Sequence, residues 1–194
     1  MSQLGDDVLV ARAVGGDTTA INDLLRLHYD RLYSLCLRMT GNEADALDAC
    51  QEALLAVVRG LPSFDRRSAF PTWAYRVTTN ACLDELRRRR RRPIASVDDM
   101  AAIEHRDLPE HAAERLDVQA ALNRLPPEFR AAVVLRDLTG MSYEDISATL
   151  GIPPGTVRSR IARGRAALAD HLGAPDREPD QRRQRPTPDE PVKP

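Results

Sequence analysis

The sequence predicts an all-α protein made of two small helical domains joined by a flexible acidic linker. Three observations lead there. Apolar residues recur at three- and four-residue intervals on both sides of the chain's middle, and no stretch alternates as a strand would. Aromatic residues are only 4% of the chain against 42% hydrophobic, so the core must be mostly Leu, Val, Ile and Ala. Between the periodic halves, residues 94–115 are acidic and weakly periodic, with Pro93 in front and Pro109 inside.

The elements follow in order. Gly15-Gly16 ends a short first helix, and Asp17 can cap the next. Ile21, Leu24, Leu25, Leu32, Leu35, Cys36 and Met39 then hold a period near 3.6, with Gly41 just past the end. Asn42 can cap a third helix whose expected inner face is Leu47, Cys50, Leu54, Val57 and Val58. After a loop with Pro62 and charge, a helix starts near Ser68. Its apolar positions are Phe70, Trp73, Ala74, Val77, Ala81, Leu83 and Leu86, it tolerates Pro71 in its first turn, and it runs into six arginines, 87–92. Periodicity returns at Leu116, breaks at Pro126-Pro127, resumes in EFRAAVVLRDL and closes at Gly140. From residue 173 the chain is rich in proline and charge and poor in large apolar residues, so a disordered tail is expected.

Composition narrows the function classes. No run approaches the roughly 20 apolar residues a membrane span needs. The N-terminus has acids where a signal peptide needs basic residues, so a cytoplasmic protein without membrane insertion is expected. Cys36, Cys50 and Cys82 cannot all pair, and there is no CxxC. The four histidines are scattered, and no phosphate loop or metal-ligand spacing occurs. Neither an enzyme, a cofactor nor a metal is therefore expected.

The net charge of −1 hides a pattern. Residues 1–62 are net −4, 63–92 net +6, 93–117 net −5 and 154–171 net +3. Two basic zones around an acidic segment suit a protein that touches nucleic acid at two places. Solvated helix faces are the competing account.

The stretch 142–172 carries the sharpest motif. Ser142 with Asp145 resembles a capping box, and Ile146 and Leu150 give a short helix its inner face. Gly151 permits the left-handed backbone of a tight turn, Ile152 plugs it, and Pro154 suits the first position of a second helix. Val157, Ile161 and Leu168 face inward on that helix. Thr156, Arg158, Ser159, Arg160, Ala162, Arg163 and Arg165 are its candidate DNA-binding residues. This is a helix-turn-helix with a basic recognition helix, whose arginines can read guanine edges or hold phosphates.

The second candidate region joins aromatic residues to arginine. Phe64, Phe70, Trp73 and Tyr75 lie among Arg66, Arg67, Arg76 and the run that includes Arg87 and Arg88, with Asn80 on the face of Arg76 and Asp84. Rings can stack on unpaired bases while arginines track phosphates. A core role is the competing account for Phe70 and Trp73. Six like charges with no compensating acid are expected to repel unless a polyanion is near.

With these residues in view, the chain resembles the extracytoplasmic-function, group IV, sigma factors of bacterial RNA polymerase. DACQEALL at 48–55, SAFPTWAYRVTTNACLDELRRRRRR at 68–92 and the stretch from LNRLPPEFR to IARGRAAL carry the resemblance, over about residues 5–172. It implies a σ2 helical bundle over 1–93, a linker over 94–115, a σ4 helix-turn-helix domain over 116–172 and a tail over 173–194. It implies as partners core polymerase (the β′ clamp helices and the β flap), promoter DNA and, where one exists, an anti-sigma factor. σ4 would read a −35 element, and σ2 would read and melt a −10 element. Position by position, Asp48, Gln51 and Glu52 match the segment that docks on the clamp helices. The loop 62–69, with Phe64, Arg66 and Arg67, matches the −10 specificity loop, which captures a flipped base. Trp73, Arg76, Asn80, Arg87 and Arg88 belong to the helix beside it. Arg158, Ser159 and Ala162 match base-facing positions, and Arg163 lies nearer the phosphates. The alternative is a stand-alone helix-turn-helix regulator, which would not require the aromatic and arginine region at 64–92.

Overall fold

The computed structural model describes residues 3–91 and 110–173. The residues between and the expected tail lie outside this description. Eight α-helices occur among the described residues: α1 (Gln3–Val14), α2 (Thr18–Thr40), α3 (Glu43–Gly60), α4 (Phe70–Arg91), α5 (Glu110–Arg124), α6 (Pro127–Asp137), α7 (Tyr143–Leu150) and α8 (Pro154–Gly173). A 3₁₀ turn, Leu61–Ser63, follows α3. Helix α5 starts at Glu110, so the last residues of the expected linker are helical.

The caps act where the sequence puts them. Asp17 accepts the Ala20 N–H at 3.1 Å and pairs with Arg12 at 2.7 Å, which ties the end of α1 to the start of α2. The Ala20 N–H and then Arg12 hold the Asp17 carboxyl below the usual carboxylate range. Asn42 caps α3 by accepting the Asp45 N–H at 2.9 Å. Gly41 ends α2 in the left-handed region, φ +88°, with its N–H on Leu37 O.

Helices α1–α4 enclose one part of the core. Leu24, Leu32, Leu35, Cys36 and Met39 of α2 are buried as expected. Helix α3 differs from expectation. Its buried stripe is Ala46, Ala49, Cys50, Ala53 and Val57, while Leu47, Leu55 and Val58 are exposed at 49%, 53% and 37%. Small side chains let α3 pack closely on α2 and α4, so the larger apolar residues are turned outward. Helix α4 also buries a different face: Phe70, Ala74, Tyr75, Thr78, Thr79, Cys82 and Glu85. Thr79 satisfies its hydroxyl within the helix by donating to Tyr75 O at 2.7 Å.

Helices α5–α8 enclose the second part, around Leu122, Leu125, Val134, Leu135, Ile146, Val157 and Ile161. Gly164 lets α8 lie against α6, because a Cβ there would stand 2.5 Å from Val133 Cγ2. The two parts meet where α2 packs on α6 and α4 on α7, and Arg130, only 8% exposed, is buried at this junction. Its Nη1 donates to Met39 O at 3.2 Å, and its Nη2 donates to Asn123 O and Leu125 O at 3.1 and 3.3 Å. Asn123 Nδ2 donates to Gly41 O at 2.8 Å, and Arg38 donates to Gln119 Oε1 at 3.1 Å.

Arg130→Ala strands three carbonyls and is expected to cost about 2–3 kcal/mol. Gly164→Ala forces α6 and α8 apart and is expected to cost about 1–3 kcal/mol. Chemical denaturation of both variants, with the exposed Arg124→Ala as reference, checks these values. Losses under about 0.5 kcal/mol, the range of ordinary surface substitutions, would contradict the packing described.

Candidate nucleic-acid interface and partner face

The helix-turn-helix forms as its residues dictate. Ser142 Oγ accepts the Asp145 N–H at 3.0 Å and donates to the Asp145 carboxylate at 2.7 Å. The carboxylate thus answers the hydroxyl rather than a backbone N–H. Gly151 turns the chain at φ +65°, and Ser147 Oγ donates to Ile152 O at 2.6 Å across the turn. On α8, Val157, Ile161 and Gly164 are buried. Arg158, Ser159, Ala162, Arg163 and Arg165 are exposed, and Thr156 and Arg160 are half-buried. The first four are a connected outer face. Arg165 is engaged elsewhere: it forks onto the Asp137 carboxylate at the end of α6, with Nε to Oδ2 at 3.0 Å. Asp137 raises the Arg165 pKa further.

Tyr143 went unnoticed in the sequence. Its ring lies under two guanidinium groups, Arg136 at 5.0 Å and Arg158 at 5.7 Å. Arg136 also donates to Met141 O at 2.7 Å. The ring gives Arg158 a shelf, so less side-chain freedom is lost when that arginine binds. An aromatic at the first position of α7, directly after the capping serine, is the sign the sequence offers.

The second region is built on an aromatic cluster. Phe64 lies 4.9 Å from Trp73 and 6.1 Å from Phe70 between ring centroids, and Phe70 lies 5.8 Å from Trp73. Phe64 and Phe70 are buried and Trp73 half-buried. Phe64 is thus an anchor at the start of the loop rather than a free stacking surface. Between the anchors, Arg66 and Arg67 are exposed, and Arg66 has φ +57°, a conformation rare outside glycine. Asp65 braces the turn by accepting the Arg67 N–H at 3.1 Å and pairing with its side chain at 3.0 Å.

Arg76 and Asn80 stand exposed one turn apart on α4. The arginine run differs from expectation. Arg87 pairs with Asp84 at 2.6 Å, Arg88 with the buried Glu85 at 3.2 Å, and Arg89 with Asp45 at 2.7 Å. Acids three residues back on α4 and at the start of α3 compensate half of the run, so it needs no polyanion to hold its shape.

Asp48, Gln51 and Glu52 are exposed on α3. They share that side of the helix with Leu55 and with Leu47 and Val58, the last two of which the sequence pattern assigned to the core. The result is an apolar stripe flanked by carboxylates, an arrangement suited to a protein partner. Cys36, Cys50 and Cys82 meet inside, all buried and free. The hydrogen bond to Cys36 and then burial push the Cys50 thiol up. For Cys36 the hydrogen bond with Cys50 acts downward, but Cys82 and burial outweigh it and the thiol is raised. Among the described residues, no group of His, Cys, Asp and Glu is placed to hold a metal ion, and no helix is long and apolar enough to cross a membrane.

A helical bundle with an arginine-bearing loop and a helix-turn-helix unit in one chain define a two-part DNA-binding protein of the sigma-70 type. Residues 24–92 match sigma-70 region 2, and residues 115–168 match sigma-70 region 4. The chain is 48% identical over 166 residues to the ECF RNA polymerase sigma factor SigE of Mycolicibacterium smegmatis, spanning 81% of this chain and 64% of that protein. It is 42% identical over 168 residues to the ECF sigma factor SigM of Mycobacterium tuberculosis H37Rv, covering 87% and 85%. The structure of CnrH in complex with the cytosolic domain of CnrY is similar at TM-score 0.63 and 26% identity, covering 87% of this chain and 97% of that one. The sigma factor RpoE of Bartonella quintana, in complex with the anti-sigma factor NepR, is similar at TM-score 0.63 and 27% identity, covering 78% and 96%. The chain belongs to the extracytoplasmic-function RNA polymerase sigma factors.

The raised thiols yield a pH prediction. The folded chain keeps protons on Cys36 and Cys50 that the unfolded chain releases near pH 8.5. Their contribution to stability is complete below that pH and is lost as pH rises above it. Denaturation midpoints should fall between pH 8 and 10, and a thiol reagent at pH 8 should label the native chain far more slowly than the denatured one. Rapid native labelling of all three cysteines would contradict the buried cluster.

Proposed function

We propose that the chain binds core RNA polymerase and directs promoter-specific initiation. The single observation that carries this reading is the pairing, in one chain, of an exposed basic recognition helix with an aromatic-anchored arginine loop. Residues 1–93 act as σ2 and 116–172 as σ4, joined by 94–115, with 173–194 as a tail. Arg158, Ser159 and Ala162 read the edges of a −35 element, with Thr156 and Arg160 supporting them. Arg163 holds phosphate, and Arg165 joins it when it leaves Asp137. In σ2, Arg66, Arg67, Arg76 and Asn80 meet the −10 strand, Phe64 and Trp73 hold the loop in place, and Arg87 and Arg88 grip the adjoining duplex. Asp48, Gln51 and Glu52, with the exposed Leu47, Leu55 and Val58, dock on the clamp helices of β′, and σ4 meets the β flap. An anti-sigma factor is a partner of the same surfaces. The protein works in the cytoplasm and supplies specificity, while the polymerase supplies the chemistry.

The geometry sets a condition on this work. Positions −10 and −35 are about 25 base pairs apart, roughly 85 Å at 3.4 Å per step. A folded chain of this length has a radius of gyration of about 16 Å. Reading both elements at once therefore requires the Arg130 contact between the two parts to open.

Transcription in vitro with core enzyme, followed by start-site mapping, tests the reading. Addition of the chain should create discrete starts that core alone does not give. Arg158→Ala should lose about 1–3 kcal/mol of discrimination at one −35 position. Arg163→Ala should weaken all sites alike and reduce the salt slope by about one charge. The same response from both variants across a promoter library would overturn the division between reading and holding, and absence of chain-dependent starts would overturn the function.

A further inference from the structure

A hollow of about 500 Å³ opens beside the loop 64–69, and its wall includes a residue from a different helix, Asp7 of α1. Phe64, Phe70 and Val10 form its apolar side, and Arg66 and Arg67 stand at its edge. Those three apolar residues are buried, whereas Asp7 and both arginines are exposed. The left-handed backbone at Arg66, φ +57°, is the kind of local strain that persists at binding sites.

The geometry points to Asp7 as a residue that selects the base received in this hollow, favouring one with an exocyclic amino group over thymine. The inference rests on the proposed reading of σ2 as the −10 unit. A hollow of this volume can admit one extruded base above the buried apolar residues at its floor, with Phe64 as an anchor and not a stacking platform, and the two arginines suit the phosphates on either side of the extruded nucleotide. The carboxylate decides among bases because, when ionised, it only accepts hydrogen bonds. Cytosine, adenine and guanine each present an amino donor on the Watson–Crick edge. Thymine presents one ring N–H between two carbonyl oxygens, which repel a carboxylate. Asp7 does not belong to the loop or to α4, and it comes from outside the region where the sequence concentrates arginine and aromatic residues.

The test is transcription by core polymerase with the full chain on a promoter library randomised across the −10 element. Wild type should disfavour thymine at one position by roughly tenfold, the scale of one good base contact. Asp7→Asn, whose amide can donate to a thymine carbonyl, should cut that ratio to about twofold or less. Asp7→Ala should flatten the preference at the same position, and Asp7→Glu should keep it. Preference at −35 should not change in any of them. If wild type selects bases at −10 and Asp7→Asn selects the same ones equally, Asp7 reads nothing and the inference is overturned while σ2 remains the reader. If wild type selects no base anywhere in the −10 element, the underlying reading fails instead. If all three variants, Asp7→Glu included, lose core binding, Asp7 belongs to folding or docking and the inference is overturned.

Discussion

The contact on which the arrangement of the molecule turns is one arginine among backbone carbonyls. Arg130 leaves α6 and places its guanidinium between Met39 O at the end of α2 and Asn123 O and Leu125 O at the end of α5. Helix C-termini carry unpaired carbonyls and partial negative charge, and a planar fork of donors meets them at fixed angles. The same group therefore finishes two helices and joins the two parts of the chain. Burial lowers its pKa, and its partners are dipoles rather than a full counter-charge. Gly41 fits the same junction, because a Cβ there would collide with Asn123. The guanidinium is not alone at this junction, because α2 also packs on α6 and α4 on α7. On the proposed reading of two separated promoter elements, this junction has to part.

Core packing also decides what is left outside. Ala46, Ala49 and Ala53 give α3 a thin inner face, and Leu47 and Leu55 are turned to solvent beside Asp48, Gln51 and Glu52. Gly164 does the same for α8: close approach to Val133 inside leaves Arg158, Ser159, Ala162 and Arg163 together outside. The two exposed faces for which partners are proposed thus follow from small residues on the opposite sides of their helices.

Much of the fold was legible because its signals are local. Asp17, Asn42 and Ser142 cap helices through their own side chains, and Gly41 and Gly151 take the left-handed backbone their positions require. The recognition helix was legible for the same reason. What escaped depends on neighbours distant in sequence. Apolar period alone cannot tell whether leucine or alanine faces inward on α3, because α2 and α4 decide that. The run at 87–92 read as uncompensated because Asp45 comes to Arg89 from another helix. Phe64 read as a stacking surface, but Phe70 and Trp73 enclose it. Tyr143 was silent because a ring beneath Arg158 requires the turn of α7 onto α8.

On the proposed reading, this chain opens DNA and does not merely bind it. Opening breaks stacking worth about 1.4 kcal/mol per step, which only preferential binding of the exposed strand can offset. Permanganate reactivity of thymines around −10, read on linear promoter DNA with core enzyme and the full chain, tests this most directly. Reactive thymines are expected with the wild-type chain, and loss of that reactivity in Asn80→Ala. In that variant −35 binding should persist, and transcription should return on a template with a pre-melted mismatched bubble. Promoter binding by the wild-type holoenzyme with no reactive thymine would contradict it and would leave a helix-turn-helix regulator in its place.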